Sequence, residues 1–303
     1  MAARGPDLNE CPRNIASPAL PRDPRGDLAL RIGLEWVLNP DHLALVDVCR
    51  ADIVAGKERF RVVLAPPSRD SAGFVALKQR LCDLILIEPI HLLDPMASEF
   101  TALGCIFETR GGVLVREDGF DKLRSGAPLR VATPASHPMM DRFCRRLLQG
   151  WAGNRGFAVA ETQILIETAG FRHVDNLAAG FDAAWLAFEN IEGVEAIQRG
   201  LAVRFVTAEE VGLPGFSALE LVARKDRSPQ EAARHEALIS ALEKAAGRLQ
   251  ADPQAAIALW QETSSDGSPT AAAMVRATLP CLKTRVDRRP SRWQAVQDLL
   301  QEA

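Results

Sequence analysis

Apolar residues along the chain fall into two alternating rhythms, short apolar runs and stretches with helical spacing. Leu28 to Leu34 and Phe60 to Leu64 read as strands, and Asp83 to Ile87 is a continuous apolar run of the kind buried on both faces of a parallel sheet. Between the first two, Asn39-Pro40-Asp41-His42 supplies an N-cap followed by Pro in the first turn, which predicts a helix to about Val54. A second helix is predicted from Ala72 to Leu81. Strand-helix alternation of this kind predicts an α/β fold.

Leu103 to Phe107 and Gly112 to Val115 are short strands separated by Thr109-Arg110-Gly111, which reads as a crossing between lobes. The alternation then restarts. Strands are predicted at Leu129 to Ala132, Gln163 to Ile166, Asp182 to Phe188, Val203 to Val206 and Ser217 to Ala223, with helices from Ser136-His137-Pro138 to Trp151, His173 to Ala179 and Ile191 to Arg199. Everything later reads as helix, beginning with the capping box Ser228-Pro229-Gln230-Glu231. His235 is expected on an exposed helix, and Trp260 and Trp293 as packing anchors. The organisation expected is a polar leader over 1–26, a first lobe from 27–109 with 217–303, and a second lobe over 110–216.

Composition narrows the function. With 36 Lys and Arg against 39 Asp and Glu, the chain lacks the field that gathers nucleic acid or an anionic membrane surface, so neither is expected as a partner. No apolar run approaches the roughly 18 to 20 residues of a membrane span, so no membrane insertion is expected. No signal peptide is read in residues 1–26, which predicts a cytoplasmic protein, or a periplasmic one if the true start lies upstream. The 6 Cys are scattered without metal-ligand spacing and are expected to be reduced thiols. Tyr is absent, which leaves Trp and Phe to supply any stacking surface.

Dinucleotide, P-loop, G-x-S-x-G and zinc-protease patterns are all missing. The polar residues near strand ends are more informative, because ligands of open α/β sheets bind beyond the carboxyl ends of strands. Leu81 to Glu88 and Gly180 to Glu189 share one plan, an Asp before an apolar strand and a Glu at its carboxyl edge, which would place Glu88 and Glu189 on facing walls of a cleft. His42, His91, His137 and His173 all lie just after predicted strands or at helix starts, and Ser136 stands beside His137. Trp36, Asn39, Asp41, Trp185 and Phe188 complete a set with flat rings and several acceptors. Such a set suits a planar heterocycle with N–H donors. Arg110 and Arg172 keep an anion open.

With Leu34-Glu35-Trp36-Val37-Leu38-Asn39-Pro40-Asp41-His42 in view, the chain resembles the NMT1/THI5-like group of periplasmic-binding-protein folds. The likeness runs from about Leu28 to at least Arg224 and takes in Ile87 to Leu92, Gly111 to Arg116, Ala184 to Ala196 and Gly212 to Leu221. That group includes sulfonate, nitrate and pyrimidine receptors of ABC importers and the fungal pyrimidine synthase of thiamine biosynthesis. The resemblance implies a type II binding-protein fold, two α/β lobes around a cleft with a helical C-terminal cover. It makes Trp36 and Asn39 to His42 one wall and Trp185 to Glu189 the other. It also implies a small-molecule ligand, such as a thiamine-precursor pyrimidine, and an ABC permease as partner. The Cys-rich motif of the fungal enzyme is missing, and no Lys lies near His42, His91 or His137, so no cofactor is expected. The alternatives are an enzyme with His42 or His91 as base and Glu88 or Glu189 as acid, a ligand sensor, and a sulfonate or nitrate binder.

Overall fold

A computed structural model describes residues 28–65, 73–93, 95–134, 137–289, 291 and 293–301. The leader over 1–26 and Ser136 lie outside the described residues. Among the described residues, twelve strands fall into two sheets. The first holds β1 (Leu28–Leu34), β2 (Ile53–Ala55), β3 (Glu58–Ala65), β4 (Leu84–Ile87), β5 (Phe100–Glu108), β11 (Ala218–Arg224) and β12 (Leu282–Asp287), in the order β12-β5-β11-β4-β1-β3-β2. The second holds β6 (Gly111–Arg116), β7 (Leu129–Thr133), β8 (Ile164–Thr168), β9 (Ala183–Phe188) and β10 (Val203–Thr207), in the order β10-β6-β9-β7-β8. Helices α1 (Leu43–Val48), α2 (Phe74–Lys78), α3 (Glu117–Ser125), α4 (Pro138–Gly153), α5 (His173–Ala178), α6 (Val194–Gln198), α7 (Pro229–Ala251), α8 (Pro253–Ser264), α9 (Pro269–Thr278) and α10 (Gln294–Gln301) complete the α/β architecture.

Hydrophobic pattern explains the centre of each sheet. All four residues of β4 are buried, as expected of a strand with β1 parallel on one side and β11 antiparallel on the other. One core gathers Ile32, Phe60, Leu84, Leu221, Leu242 and Trp260 beneath α1, α7 and α8. Another gathers Val113, Val131, Phe143, Trp151, Trp185 and Trp293 around α4. Trp260 and Trp293 are thus packing anchors.

The sheets are joined by two strands that pass close together. The chain leaves β5 for β6 over Thr109 and Arg110, and it returns from β10 to β11 through Ser217, where the Thr109 N–H donates to the Ser217 carbonyl at 3.0 Å. A Cβ at Gly111 would stand 1.6 Å from Ser217 Oγ, and one at Gly112 would stand 2.0 Å from the Val206 carbonyl oxygen. Glycine leaves room for the Ser217 side chain at the first position and for the β10 backbone at the second.

The structure corrects several expectations. The helix predicted to reach Val54 is a single 3₁₀ turn, Pro40–His42, followed by the six-residue α1. The β-branched Ile53 and Val54 pair instead with β3 through a hairpin whose Gly56 has φ 61°. Nor is the C-terminal region wholly helical, since Leu282 and Val286 bury one face of β12 against the edge of β5. His235 was expected to be exposed, but only 3% of its surface is accessible. Loss of water pushes its imidazole down to about 4, with the Arg227 charge adding to the effect.

Candidate functional site

The N-P-D-H segment is a self-capped turn. Asn39 Oδ1 accepts the Asp41 N–H at 3.0 Å, and His42 Nδ1 lies 3.3 Å from the Asn39 nitrogen and 2.9 Å from Asn39 Oδ1. Burial pushes His42 down to about 4, against the opposing hydrogen bond to the Asn39 backbone. A neutral imidazole tied into its own turn is a positioning group. What it positions is Asp41, only 1% exposed, whose Oδ2 is buried without a hydrogen-bond partner.

Glu88 reaches the same region from the end of β4 and is 8% exposed. Its N–H donates to Glu35 Oε2 at 2.8 Å, and the other oxygen of Glu35 pairs with His91 Nε2. Burial first, and then the neighbouring Glu35, push the Glu88 carboxyl up to about 8, with Asp41 and Glu192 adding to the rise and His91 opposing it. Asp41 is pushed up to about 7, chiefly by burial, with Asn190 opposing and Glu192 reinforcing. Glu192 is likewise raised by burial, although His173 holds it back.

The facing wall comes from the end of β9. Val113 pairs with Trp185 and Gly112 with Ala187, so Leu186 is an extra residue in a β-bulge, held at φ 61°. The bulge reverses the alternation: Trp185 packs with the α4 core, whereas Ala187 joins Ala184 on the other face. A single π-turn, Glu189–Gly193, follows, and Glu192 Oε2 reaches back to accept the Phe188 N–H at 2.7 Å. Such turns are frequent at functional sites. The Phe188 ring meets Trp36 edge-on at 6.1 Å, which joins the two walls.

Asn190 ties the walls together. Its Nδ2 donates to Asp41 Oδ1 at 2.6 Å and to Thr278 Oγ1 at 2.7 Å, and its Oδ1 accepts from Thr109 Oγ1 at 2.7 Å. One buried amide thus touches the N-P-D-H turn, the end of α9 and the crossing strand.

Of the residues singled out in the sequence, the structure brings together Trp36, Asn39, Asp41, His42, Glu88, His91, Phe188 and, behind Glu192, His173. His173 Nε2 lies 3.1 Å from the Trp185 carbonyl oxygen and its Nδ1 3.6 Å from Glu192, so it supports the wall from within. Two expectations need correction. Glu189 pairs its carboxylate with Arg110 at 3.2 Å, and the facing-wall charge that acts on Glu88 is that of Glu192, three residues later. Trp185 is fully buried between Phe143 and Phe216 and offers no ring to a cleft. His137 stands exposed at the start of α4. Of the candidate anion ligands, Arg110 lines one cavity with Thr109, Glu189 and Asn190 and is paired with Glu189 and Thr207, whereas Arg172 is paired with Asp175.

The sequence alone does not single out Glu35, Asn190, Glu192 or Thr109 as site residues, although the first three lie in segments that carry the resemblance and Thr109 lies at the crossing. Glu35 had a signal, its place beside Trp36. Asn190 and Glu192 depend on a bulge and a π-turn that no spacing rule announces. Among the described residues, no Lys or Arg pairs with Glu35, Asp41, Glu88 or Glu192, and no group of three or more His, Cys, Asp or Glu is placed to hold a metal.

Known proteins place this geometry in context. No curated protein matches the sequence. The fold is similar to the periplasmic aliphatic sulphonate binding protein SsuA of Escherichia coli, with TM-score 0.63 and 16% identity over 90% of this chain and 85% of that one. It is also similar to the ligand binding component of an ABC-type import system from Staphylococcus aureus with zinc bound, with TM-score 0.64 and 11% identity over 91% of this chain and 92% of that one. The periplasmic nitrate-binding protein NrtA of Synechocystis PCC 6803 gives TM-score 0.53 and 12% identity over 83% and 70% of the two chains. Residues 142–256 match the NMT1/THI5 like family. That segment is thus similar to the NMT1/THI5 like family, and the chain as a whole has the α/β fold seen in these binding proteins.

Proposed function

We propose that this protein is a solute receptor whose lobes close on a flat heterocycle bearing N–H donors, of the kind represented by a thiamine-precursor pyrimidine. One observation carries the reading: Asp41, Glu88 and Glu192 converge with no Lys or Arg paired to them among the described residues, and Asp41 Oδ2 is buried without a partner. Burying an acceptor without a donor costs about 1 to 3 kcal/mol, so a ligand that supplies the donor recovers that energy. Trp36 and Phe188, one on each wall, supply the ring surface. A sulfonate or nitrate ion would meet carboxylates there instead of cations. An ABC permease would receive the ligand from the closed form.

Thermal shift against pyrimidines, other flat heterocycles, sulfonates and nitrate tests the reading. A bound heterocycle at 100 times its Kd should add about 2.7 kcal/mol to stability. A melting curve that moves only with sulfonates or nitrate would overturn it.

A further inference from the structure

Charge balance at the candidate site is unusual. Asp41 and Glu88 are 1% and 8% exposed, and Glu35 and Glu192 stand beside them at 18% side-chain exposure each. The bases facing this group are His91 on Glu35, His173 behind Glu192 and His42 inside its own turn. None is a fixed cation. Several carboxylates in so dry a space cannot all be ionised, because like charges and lost hydration both penalise the anion.

We propose that the site takes its ligand as a cation in exchange for a proton, which Asp41 and Glu88 hold between them before binding and which the ligand's own positive charge displaces. The atoms balance simply. The O–H bond of the carboxylic acid breaks, the proton leaves to solvent, and the carboxylate accepts an N–H of the cation. The orphaned Oδ2 of Asp41 is the acceptor already in place, because Asn190 occupies only Oδ1. The raised carboxyls of Asp41 and Glu88 agree with this placement. The inference deepens the receptor reading and rests on the same site. It narrows the ligand to a planar cation of the amidinium type, against a neutral amide of the same shape.

Benzamidine and its neutral counterpart benzamide are suitable probes, since benzamidine remains a cation across about pH 6 to 9. Titration calorimetry on the full chain, in two buffers of different ionisation enthalpy, counts the protons released. Benzamidine should bind with release of protons near neutral pH, its affinity rising up to tenfold per pH unit toward about pH 8 and then levelling. Benzamide should bind at least tenfold more weakly. In Glu88→Gln, which keeps the backbone N–H that holds Glu35, proton release should fall and the affinity should stay near the low-pH value of the unmodified protein at every pH.

Benzamidine binding with proton release, alongside failure of every pyrimidine, would sustain the exchange and overturn the heterocycle reading. A pyrimidine that binds without proton release would sustain the receptor and overturn the exchange. Failure of both probes and all heterocycles would overturn both.

Discussion

Asp41 and Glu192 reach the same space from opposite walls by different means. Asp41 is carried by a turn whose cap, proline and second cap are consecutive in the chain, Asn39 to His42, so nearly all that orients it is local. Glu192 is carried by a bulge at Leu186 and a π-turn, and both depend on how β9 pairs with β6. One wall is built by sequence-local hydrogen bonds, the other by tertiary strain. The strained wall also carries Asn190, whose bonds to Asp41, Thr278 and Thr109 join it to the first wall and to the crossing. The local wall is thus a fixed template, and the strained wall is the part suited to register closure.

The largest expected effect is on the one contact that both walls share through their rings. Trp36→Ala removes the ring that meets Phe188, and ligand binding should fall by at least about 100-fold, near 3 kcal/mol. Trp36 only packs against the edge of its core, so the melting temperature should change little. Binding retained within tenfold, measured by calorimetry, would mean that the ligand does not sit between these rings.

A change in pH strikes both walls at once. Burial pushes the carboxyls of Asp41 and Glu88 up to about 7 and about 8 in the folded state, so the folded protein holds more protons than the unfolded one in this range. Stability without ligand should therefore fall as pH rises from about 6.5 to 8, by about 2 kcal/mol. The buried His42 and His235 act in the opposite sense, and since most of their stabilisation builds between about pH 4 and 6.5, what remains trims the fall in this window by less than about 1 kcal/mol. Chemical denaturation at several pH values checks the sign. A flat profile in the unmodified protein, matching that of Glu88→Gln, would remove the buried-acid description.

Loss of the local cap gives a smaller effect. Asn39→Ala removes the acceptor for the Asp41 N–H and should cost about 1 kcal/mol of stability. Binding should weaken by a comparable factor, since Asp41 loses its orientation. If stability falls and binding does not, Asp41 is positioned by Asn190 instead, and the contrast between the walls collapses.

These walls also differ in what the sequence reveals. W-x-x-N-P-D-H announces its own conformation because caps and proline act over four residues, and Glu88 is found because a buried strand ends beside it. The two-sheet α/β fold is legible for the same reason, through period and punctuation. Strict alternation continues β9 straight to its end and so points to Glu189 instead of Glu192. The extra residue at Leu186 breaks that count, and nothing about a leucine signals φ 61°. The burial of Trp185 followed from its neighbours Phe143 and Phe216, which are far away in sequence.

Leu186 therefore offers the finest test of the strained wall. Glycine adopts positive φ freely and a β-branched residue resists it, so Leu186→Gly should be more stable than Leu186→Val by about 1 to 2 kcal/mol, although valine is the closer match in size and hydrophobicity. In an ordinary strand the order reverses, because valine favours the extended backbone and glycine weakens it. Paired denaturation curves for the two variants decide the matter. The more stable valine variant would mean that β9 runs without its bulge, and Glu192 would then lose the turn that brings it to face Asp41 and Glu88.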